Sequence, residues 1–385
     1  MILNESEKTM KIDVITLHRV RNYGSTLQTL ATQMLLKELG CETEVIDYYP
    51  ERYSSKGLLK RLKNKSKKLR GNPILLLMAK IAIAPSYYKK HLVFDDFLRK
   101  HINLTSKTYY SEQDLMDDPP QADAYCTGSD QVWNSYWNEG VDRPFYLSFL
   151  QDDAYRFSYA SSIGSDKLKD DESHEVVPLL EKYKHISVRE DSGVKILRDI
   201  GIVNVTQVLD PTLLFEAKVW APYVSDRYKN KKYVVTYNLH HDKRIDLYAA
   251  KLAEKYNLKV LNISYNWHDI IRSGYLVWCP TIEEYLGLIR DAEYVVTDSF
   301  HATAFSLIFE TKFIDIFPEQ ASARLRSVLK LTHTENRGFD KMPTVDAADV
   351  TTDFALVHEI LRNERKKSVQ YMNEILNELK NEKYI

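Results

Sequence analysis

The sequence predicts an α/β protein of two Rossmann-like domains that face each other across a cleft, with a C-terminal helix crossing back to the first domain. Three observations support this fold class. The chain has 385 residues, more than one hydrophobic core usually serves. Apolar strand-like runs alternate with helical segments, a pattern typical of parallel sheets. A long, charged helical segment at 352–383 follows the last predicted strand.

The first elements set this pattern. The run IDVITL at 12–17 predicts a buried strand, and residues 26–39 carry apolar side chains at helical spacing up to Gly40. Residues 44–48 predict the next strand. A strand, a helix and a strand in succession favour a right-handed crossover between parallel strands.

The same order recurs along the chain. Further strands are predicted at 124–127, 157–160, 185–188, 233–237, 259–263, 294–297 and 313–317. The stretch 215–232, which contains Pro222 and a run of charges, is the expected linker. We therefore expect domains at 10–215 and 216–350 and a C-terminal helix at 351–385, with an insertion at about 51–100.

Composition excludes several classes of protein. Apolar residues make up 44% and charged residues 28% of the chain, and the net charge is -1, so no global feature indicates a nucleic-acid partner. The three cysteines show no metal-binding or disulfide spacing. The first nine residues lack the apolar core of a signal peptide, and no apolar run is long enough to span a membrane. A cytoplasmic location is expected.

A basic segment lies within the insertion. Eight lysines and arginines fall between 56 and 70 without an acidic residue, and the apolar run at 74–78 follows. Such a cluster beside apolar residues is typical of peripheral contact with an anionic membrane, which we expect through 56–78. A solvated helix face, or a flexible loop before a buried helix, are the alternatives.

Two polar motifs follow predicted strands of the first half. The motif Asn22-Tyr23-Gly24 opens the first helix, where Gly24 permits close backbone approach and the helix N-terminus attracts anions. The motif GSDQVWN occupies 128–134. Its Asp130 is a candidate proton acceptor, Gln131 and Asn134 can bind sugar hydroxyls, and Trp133 offers an aromatic face. A plain turn, and a turn with a buried tryptophan, are the alternatives.

Three further motifs carry cations or a histidine. Arg189 ends a predicted strand, where its guanidinium can bind a carboxylate or phosphate unless it pairs with a neighbouring acid. His301 in Asp298-Ser299-Phe300-His301 suits proton transfer near neutral pH, and Asp298 is placed to orient its imidazole. Arg324 precedes a helix. Ligands of open α/β sheets lie beyond the carboxyl ends of the strands, so these motifs are expected to face one cleft.

In their order and spacing, these motifs resemble those of the polysaccharide pyruvyltransferases over about residues 11–338. Family members often carry an asparagine shortly before the arginine matched by Arg324, where this chain has Ser322. The resemblance implies a GT-B-like arrangement, with the acceptor on the first domain and the donor on the second. It implies transfer of pyruvyl from phosphoenolpyruvate to a sugar of a cell-surface polysaccharide or its lipid-linked precursor, as a ketal, without a redox cofactor or an obligatory metal.

The resemblance also implies the roles of the site residues. His301, Asp298 and Asp130 are the expected catalytic residues. The donor is expected to bind a set of four side chains, Arg189, Ser299, His301 and Arg324. The acceptor is expected to bind a second set, Asn22, Tyr23, Gly24, Gln131, Trp133 and Asn134. Adjacent His240 and His241 are taken as surface residues, and Asp210 as a turn cap.

Two other classes of function stay open at this point. A glycosyltransferase that uses a nucleotide sugar would share the two-domain fold, and the fold alone does not determine the chemistry. A non-catalytic glycan-binding assembly subunit is the other class. The glycosyltransferase would require a nucleotide sugar and would not use phosphoenolpyruvate. The assembly subunit would retain its binding after His301 is replaced.

Overall fold

The computed structural model describes residues 9–66, 70–165, 167–169, 171–319 and 322–383. Most of the polar N-terminal stretch considered above, 1–8, lies outside the described residues. So do Lys67 and Lys68 of the basic segment. The described chain forms two lobes, each built on one parallel sheet with helices around it.

The first lobe contains a five-stranded sheet with the strand order β3-β2-β1-β4-β5. A two-stranded sheet, β6-β7, continues it, because Phe157 of β5 bridges His185 just before β6. All of these pairs are parallel. The strands are β1 (Lys11–Ile15), β2 (Glu42–Tyr48), β3 (Leu104–Tyr109), β4 (Ala124–Thr127), β5 (Arg156–Ser158), β6 (Ile186–Val188) and β7 (Val205–Gln207).

The second lobe contains a six-stranded parallel sheet with the strand order β10-β9-β8-β11-β12-β13. Its strands are β8 (Tyr233–Tyr237), β9 (Lys259–Ser264), β10 (Tyr275–Trp278), β11 (Tyr294–Thr297), β12 (Phe313–Ile316) and β13 (Gly338–Phe339). Numbered within its own lobe, this order is 3-2-1-4-5-6, the doubly wound order of a dinucleotide-binding fold. The predicted Rossmann-like character of both halves is confirmed.

Helices connect the strands and cover the sheets. They are α1 (Tyr23–Glu38), α2 (Ser55–Lys65), α3 (Pro73–His101), α4 (Glu112–Asp117), α5 (Ser173–Leu180), α6 (Asp191–Asp199), α7 (Ala217–Trp220), α8 (Lys243–Tyr256), α9 (Ile282–Arg290), α10 (Phe300–Ile308), α11 (Ala323–Leu331) and α12 (Phe354–Lys383). In the described part of the chain, no helix is both long and apolar enough to cross a membrane.

The C-terminal helix α12 packs on the first lobe, as the sequence predicts. Ser368 Oγ accepts a hydrogen bond from the Leu209 backbone N–H at 3.0 Å, and Tyr371 Oη donates to the Ser158 carbonyl at 3.3 Å. Glu378 pairs with the imidazole of His185 at 2.9 Å. The helix thereby ties the end of the chain to strands β5 and β6.

The predicted linker contains ordered, buried structure. Helix α7 lies within it, and the indole of its Trp220 is fully buried with its ring centroid 4.9 Å from that of Phe305 in α10. This stretch therefore packs against the second lobe. The division at 215/216 stays a prediction.

Candidate functional site

A cavity of about 330 Å³ lies between the lobes, at the carboxyl ends of β1, β4, β8 and β11. We call it the interlobe cavity. It sits beside the point where strand order reverses in each sheet, where open α/β folds bind their ligands. Seven of the sequence-predicted site residues line it: Asn22, Asp130, Gln131, Asp298, Ser299, His301 and Arg324.

His301 lies in the first turn of α10 and packs directly on α1 of the other lobe. A Cβ atom at Gly24 would lie 1.9 Å from His301 Nδ1, so only glycine leaves room for the imidazole there. Gly24 thus permits the approach of a side chain, where the sequence suggested the approach of a ligand. His301 Nε2 is buried and makes no hydrogen bond to a described residue; the nearest carboxylate oxygen is Asp210 Oδ2, at 3.7 Å.

Asp298 does not orient His301, and this expectation is wrong. Its carboxylate accepts hydrogen bonds from the backbone N–H groups of Leu239 and His240, at 2.7 and 3.0 Å, and contacts His240 Nδ1 at 2.8 Å. His240 is exposed, as the sequence predicts, and it also forms part of the wall of the interlobe cavity. Asp298 instead fixes the loop after β8.

Arg189 lies beneath the cavity within a cluster of carboxylates. Its guanidinium donates to Asp210 at 2.7 Å and lies 3.6 Å from both Asp130 and Glu190. Its other face covers the ring of Phe300, 4.3 Å from the centroid. Only 2% of the side chain is exposed. The alternative of pairing with neighbouring acids therefore describes Arg189 in this structure.

Asp210 caps the turn after β7 and also holds this cluster together. It accepts from the backbone N–H and the hydroxyl of Thr212, and from Ser129 Oγ at 3.0 Å. Burial by itself would raise the pKa of Asp210, but His301 and Arg189 outweigh it and hold that pKa well below its ordinary value. Asp210 is thus ionised and supports the cationic groups above it.

Asp130 projects from a strained position of the GSDQVWN motif. Its φ is 72°, in the left-handed region that side chains other than glycine seldom adopt. Its carboxylate accepts a hydrogen bond from Ser25 Oγ on α1. Burial would raise the pKa of Asp130, yet Arg189 and His301 reverse the sign and lower it. Asp130 is therefore an ionised hydrogen-bond acceptor of low basicity.

Arg324 lies in the first turn of α11 and lacks an ion-pair partner among the described residues. Burial and the nearby Arg189 lower its pKa. When the Gln131 side-chain amide is oriented with its oxygen toward Arg324, that oxygen accepts hydrogen bonds from Arg324 Nη2 and Nη1 at 3.1 and 3.2 Å. Ser322 does not contact Arg324; its hydroxyl accepts from Arg326 at 3.1 Å. Arg324 is thus a cation without a carboxylate at ion-pair distance among the described residues.

The helix α10 adds a second attraction for anions. Ser299 caps this helix, since its Oγ accepts a hydrogen bond from the Ala302 backbone N–H at 3.5 Å. Ser299 also lines the interlobe cavity. The N-terminus of the helix therefore opens on this space. Its dipole and free N–H groups favour negative charge.

Two of the predicted acceptor residues are structural, and those assignments are wrong. Tyr23 is fully buried, donates to the Pro280 carbonyl at 2.7 Å and stacks on Tyr285 with centroids 4.2 Å apart. Trp133 is 2% exposed and donates from Nε1 to the Phe145 carbonyl at 3.1 Å. Trp133 therefore belongs to the core beneath the motif.

Asn22 and Asn134 organise their loops. Asn22 caps α1 by accepting from the Gly24 N–H at 2.9 Å, and its amide donates to Tyr237 of the second lobe at 3.4 Å. Asn134 accepts from the backbone N–H groups of residues 136 and 137, at 3.0 and 3.3 Å. Both therefore position the walls, and Asn22 also faces the interlobe cavity.

Several wall residues were missed from the sequence. They are Ser25, Tyr53, Trp137, Asn138 and His240. Trp137 and its neighbour Tyr136 are 52% and 72% exposed, and their rings form an edge-to-face pair with centroids 5.5 Å apart. His240 had a signal, because it follows the predicted strand β8 just as His301 follows β11. Trp137 lies four residues after Trp133, and its exposure could not be read from spacing.

Metal ligation finds no support in the described residues, where no group of three or more histidine, cysteine, aspartate or glutamate side chains could hold an ion. The three cysteines are reduced and buried. The chemistry of the interlobe cavity is that of a histidine, a neighbouring carboxylate, a free guanidinium and a helix N-terminus.

Comparisons with solved structures agree with the fold. A UDP-GlcNAc 2-epimerase from Neisseria meningitidis, bound to UDP-GlcNAc, is similar with a TM-score of 0.52 and 10% identity over 96% of this chain and 99% of its own. An epimerase of the same description from Methanocaldococcus jannaschii, in complex with UDP-GlcNAc and UDP, has a TM-score of 0.50 and 12% identity over 96% and 99%. Such identities show the fold alone, which is GT-B-like.

Sequence comparisons are more specific. A search of curated proteins by sequence gave no match. A family model described as polysaccharide pyruvyl transferase matches residues 22–317. The matched range begins at the cap of α1 and includes the loops that carry Asp130 and Arg189 and the first turn of α10, which carries His301.

Proposed function

Because the chain belongs to the polysaccharide pyruvyl transferase family, we propose that it transfers a pyruvyl group from phosphoenolpyruvate to a sugar, forming a ketal. The sugar is part of a cell-surface polysaccharide, such as a capsule or exopolysaccharide, or of its lipid-linked precursor. The observation that carries the proposal is the group of unpaired polar atoms at one end of the interlobe cavity. His301 Nε2 and Arg324 Nε are both buried there without a hydrogen-bond partner among the described residues.

The donor fits these groups by charge. Phosphoenolpyruvate carries a carboxylate and a phosphate, and each needs a fixed cation or N–H donors. Arg324 supplies the guanidinium, and the N-terminus of α10 at Ser299 supplies a dipole and N–H groups for the phosphate. Arg189 contributes from below by raising the local potential while its own charge is shared with Asp210. The donor therefore belongs with the second domain, 216–350, and the acceptor with the first, 10–215.

The reaction requires one acid and one base. Protonation of the methylene carbon of the donor gives a methyl group and an oxocarbenium-like carbon. The first sugar hydroxyl attacks this carbon, and its proton returns to the group that protonated the methylene carbon. A second hydroxyl then displaces phosphate and closes the ketal, its proton leaving with the phosphate. We assign the proton transfers to His301, whose Nε2 is unpaired. Asp130, ionised and of low basicity, accepts the hydrogen bond of the attacking hydroxyl and stabilises the cationic carbon.

The acceptor saccharide belongs with the first-lobe wall of the cavity. Gln131 and Asn22 offer amide groups for hydroxyls, and the exposed ring of Trp137 offers a face on which a sugar can pack. Asp298 acts through the loop after β8, where it fixes His240. In this assignment Asp298 is a positioning residue.

Peripheral membrane contact is part of the proposal. Lys56, Lys60 and Lys63 are exposed along one face of α2, and each lysine near an anionic surface contributes about 1 kcal/mol. Ile74, Leu77, Met78 and Ile81 form an exposed stripe on α3, with exposed fractions of 69%, 56%, 61% and 65%. The protein would then act at the inner face of the cytoplasmic membrane. Unchanged binding to anionic vesicles after all three lysines become glutamine would contradict this contact.

A phosphate-release assay tests the function. The protein is incubated with phosphoenolpyruvate and a panel of galactosides, glucosides and N-acetylhexosaminides, and the His301→Ala variant is run beside it. We expect acceptor-dependent phosphate release that the variant loses. If no glycoside supports phosphate release while a nucleotide sugar raises the unfolding temperature, the protein is a glycosyltransferase instead. If wild type and variant bind glycans equally without turnover, the protein is a non-catalytic assembly subunit.

A further inference from the structure

A second cavity, of about 310 Å³, adjoins the interlobe cavity. We call it the basic cavity. The two share Val20, Tyr53 and Arg61 in their walls. Its remaining walls come from α3, through residues such as Lys90, and from Tyr265 after β9. A ligand in one cavity can therefore extend into the other past Tyr53 and Arg61.

Four cationic side chains line the basic cavity: Arg19, Arg21, Arg61 and Lys90. Two of them are neutralised by acids, because Arg19 pairs with Asp47 and Arg21 pairs with Asp95 at 3.0 Å. These two arginines form a fixed wall whose charge is balanced by Asp47 and Asp95. The charge available to a ligand must come from the other two.

Lys90 has no ion-pair partner among the described residues. Its ammonium lies over the ring of Tyr265, 4.2 Å from the centroid, and burial lowers its pKa to about 8. Among the described residues, the carboxylate paired with Arg61 is that of Glu139, at 3.9 Å. A half-buried lysine without a counter-ion is costly to keep charged, so a bound anion would stabilise its charged form.

The exposed apolar stripe lies on the same helix as Lys90. Lys90 lies nine residues after Ile81, about 14 Å along α3 and on the opposite face of the helix. The apolar surface beside the cavity is the segment Trp267–Ile271, which follows the cavity residue Asn266: Trp267 Nε1 donates to the Ala82 carbonyl at 2.7 Å, and Ile271 is 88% exposed. An apolar surface, a basic cavity and the interlobe cavity thus follow one another in space.

We propose that the basic cavity binds the diphosphate that joins a lipid to the acceptor saccharide, with Lys90 and Arg61 as its ligands. The alkyl chain then lies toward the exposed apolar side chains of Trp267–Ile271, and the saccharide enters the interlobe cavity past Tyr53. Two adjoining phosphates require more than one cation, and Lys90 and Arg61 both line this cavity. The assignment rests on the proposed function in that the acceptor is a saccharide.

Decyl diphosphate, which carries an alkyl chain and the diphosphate but no sugar, is the probe. Its binding is measured by isothermal titration calorimetry to the full chain, to Lys90→Gln and to Arg61→Gln. We expect each variant to bind about tenfold or more weakly, the effect of losing one charged hydrogen bond. Lys80→Gln, exposed on the same helix, is the control and should bind like wild type. Equal affinities of wild type, Lys90→Gln and Arg61→Gln would overturn the site.

Further probes separate the possible sources of binding. Decyl glucoside, which lacks phosphate, should show no dependence on Lys90. If inorganic pyrophosphate binds through Lys90 as tightly as decyl diphosphate, the cavity is a site for free pyrophosphate and the lipid assignment is wrong. Arg324→Gln should lose phosphoenolpyruvate binding but keep decyl diphosphate binding. Failure of wild type to bind phosphoenolpyruvate, with decyl diphosphate still dependent on Lys90, would sink the proposed donor and leave this site standing.

Discussion

The two walls of the interlobe cavity differ in how far their charges are already paired. On the first-lobe side, Arg189 is enclosed by Asp130, Glu190 and Asp210, and each of these acids also accepts a hydroxyl or amide hydrogen bond. On the second-lobe side, Arg324 has no ion-pair partner among the described residues. Buried nitrogens without hydrogen bonds to described residues occur on both sides, since Arg189 Nε and Nη2 share this property with His301 Nε2 and Arg324 Nε. Buried polar groups are normally satisfied. The paired wall therefore holds the site in shape, and the unpaired wall is where an anionic ligand completes it.

Loss of His301 should have the largest effect. Replacement of His301 by glutamine removes the proposed acid and base, and turnover should fall by about 10²- to 10⁴-fold. The unfolding temperature should change little, because the imidazole makes no hydrogen bond through Nε2. Steady-state kinetics measure the effect, with His333→Gln, at an exposed histidine, as the control. Turnover within tenfold of wild type would remove His301 from the mechanism.

Replacement of Asp210 tests the paired wall. Asp210→Asn leaves Arg189 without its closest counter-ion, and breaking a buried pair from one side costs about 3 to 5 kcal/mol in free energy of unfolding. Urea denaturation measures it, and Asp226→Asn, on an exposed ion pair, is the control.

The pH dependence of unfolding of wild type and Asp210→Asn tests whether the ion pair is the source of the stability difference. Because the pKa of Asp210 is held below its ordinary value, its contribution to stability is present above about pH 4 and lost as pH falls through the folded-state pKa. The stability difference between wild type and Asp210→Asn should therefore shrink on acidification. A difference that stays constant from neutral pH into the acid range would show that this ion pair is not its source.

Replacement of Gly24 by alanine tests the contact between the two walls, because Gly24 lies on α1 and contacts His301 on α10. The added methyl would overlap the imidazole of His301 and push it from its place, and a shift of about 1 Å can cost about 10²-fold in rate. The measurement is turnover at saturating substrates. Gly71→Ala is the matched control, since nothing lies within 4 Å of the Cβ it would carry. Full activity of Gly24→Ala would mean that the packing of His301 on α1 is dispensable.

Arg324→Gln should have the smallest effect of the four. It removes one charged donor from the unpaired wall, and the KM for phosphoenolpyruvate should rise about tenfold to a hundredfold with a smaller change in kcat. Arg326→Gln, exposed on the same helix and paired with Asp340, should leave the KM unchanged. An equal response of the two variants would indicate a general loss of positive potential instead of a contact.

The strands that the sequence predicted are the buried ones. Residues 124–127, 233–237 and 294–297 form continuous apolar strands in the interior of their sheets, and their predicted bounds are exact. The missed strands β3, β7, β10 and β13 all lie at sheet edges. Edge strands are half solvated, and β3, for example, reads LTSKTY. The apolar signal fades where the sheet meets water.

The candidate site was likewise predicted only in part. Because each motif follows a strand, its position at the cleft could be predicted, and Asp130, His301 and Arg324 do meet there. The partners of each side chain could not be predicted, because they depend on how the two lobes dock. Asp298 and His301 are three residues apart, yet Asp298 binds His240 while His301 faces Asp210 from another lobe. Similarly, nothing in spacing separates buried Trp133 from exposed Trp137.

Direct titration of phosphoenolpyruvate into the protein tests the central claim, that the unpaired wall is a donor site. Calorimetry should show binding that depends on Arg324 and persists in Arg326→Gln, and UDP-GlcNAc should neither bind nor compete. Binding of UDP-GlcNAc in the absence of any phosphoenolpyruvate binding would contradict the account and identify the cavity as a nucleotide-sugar site.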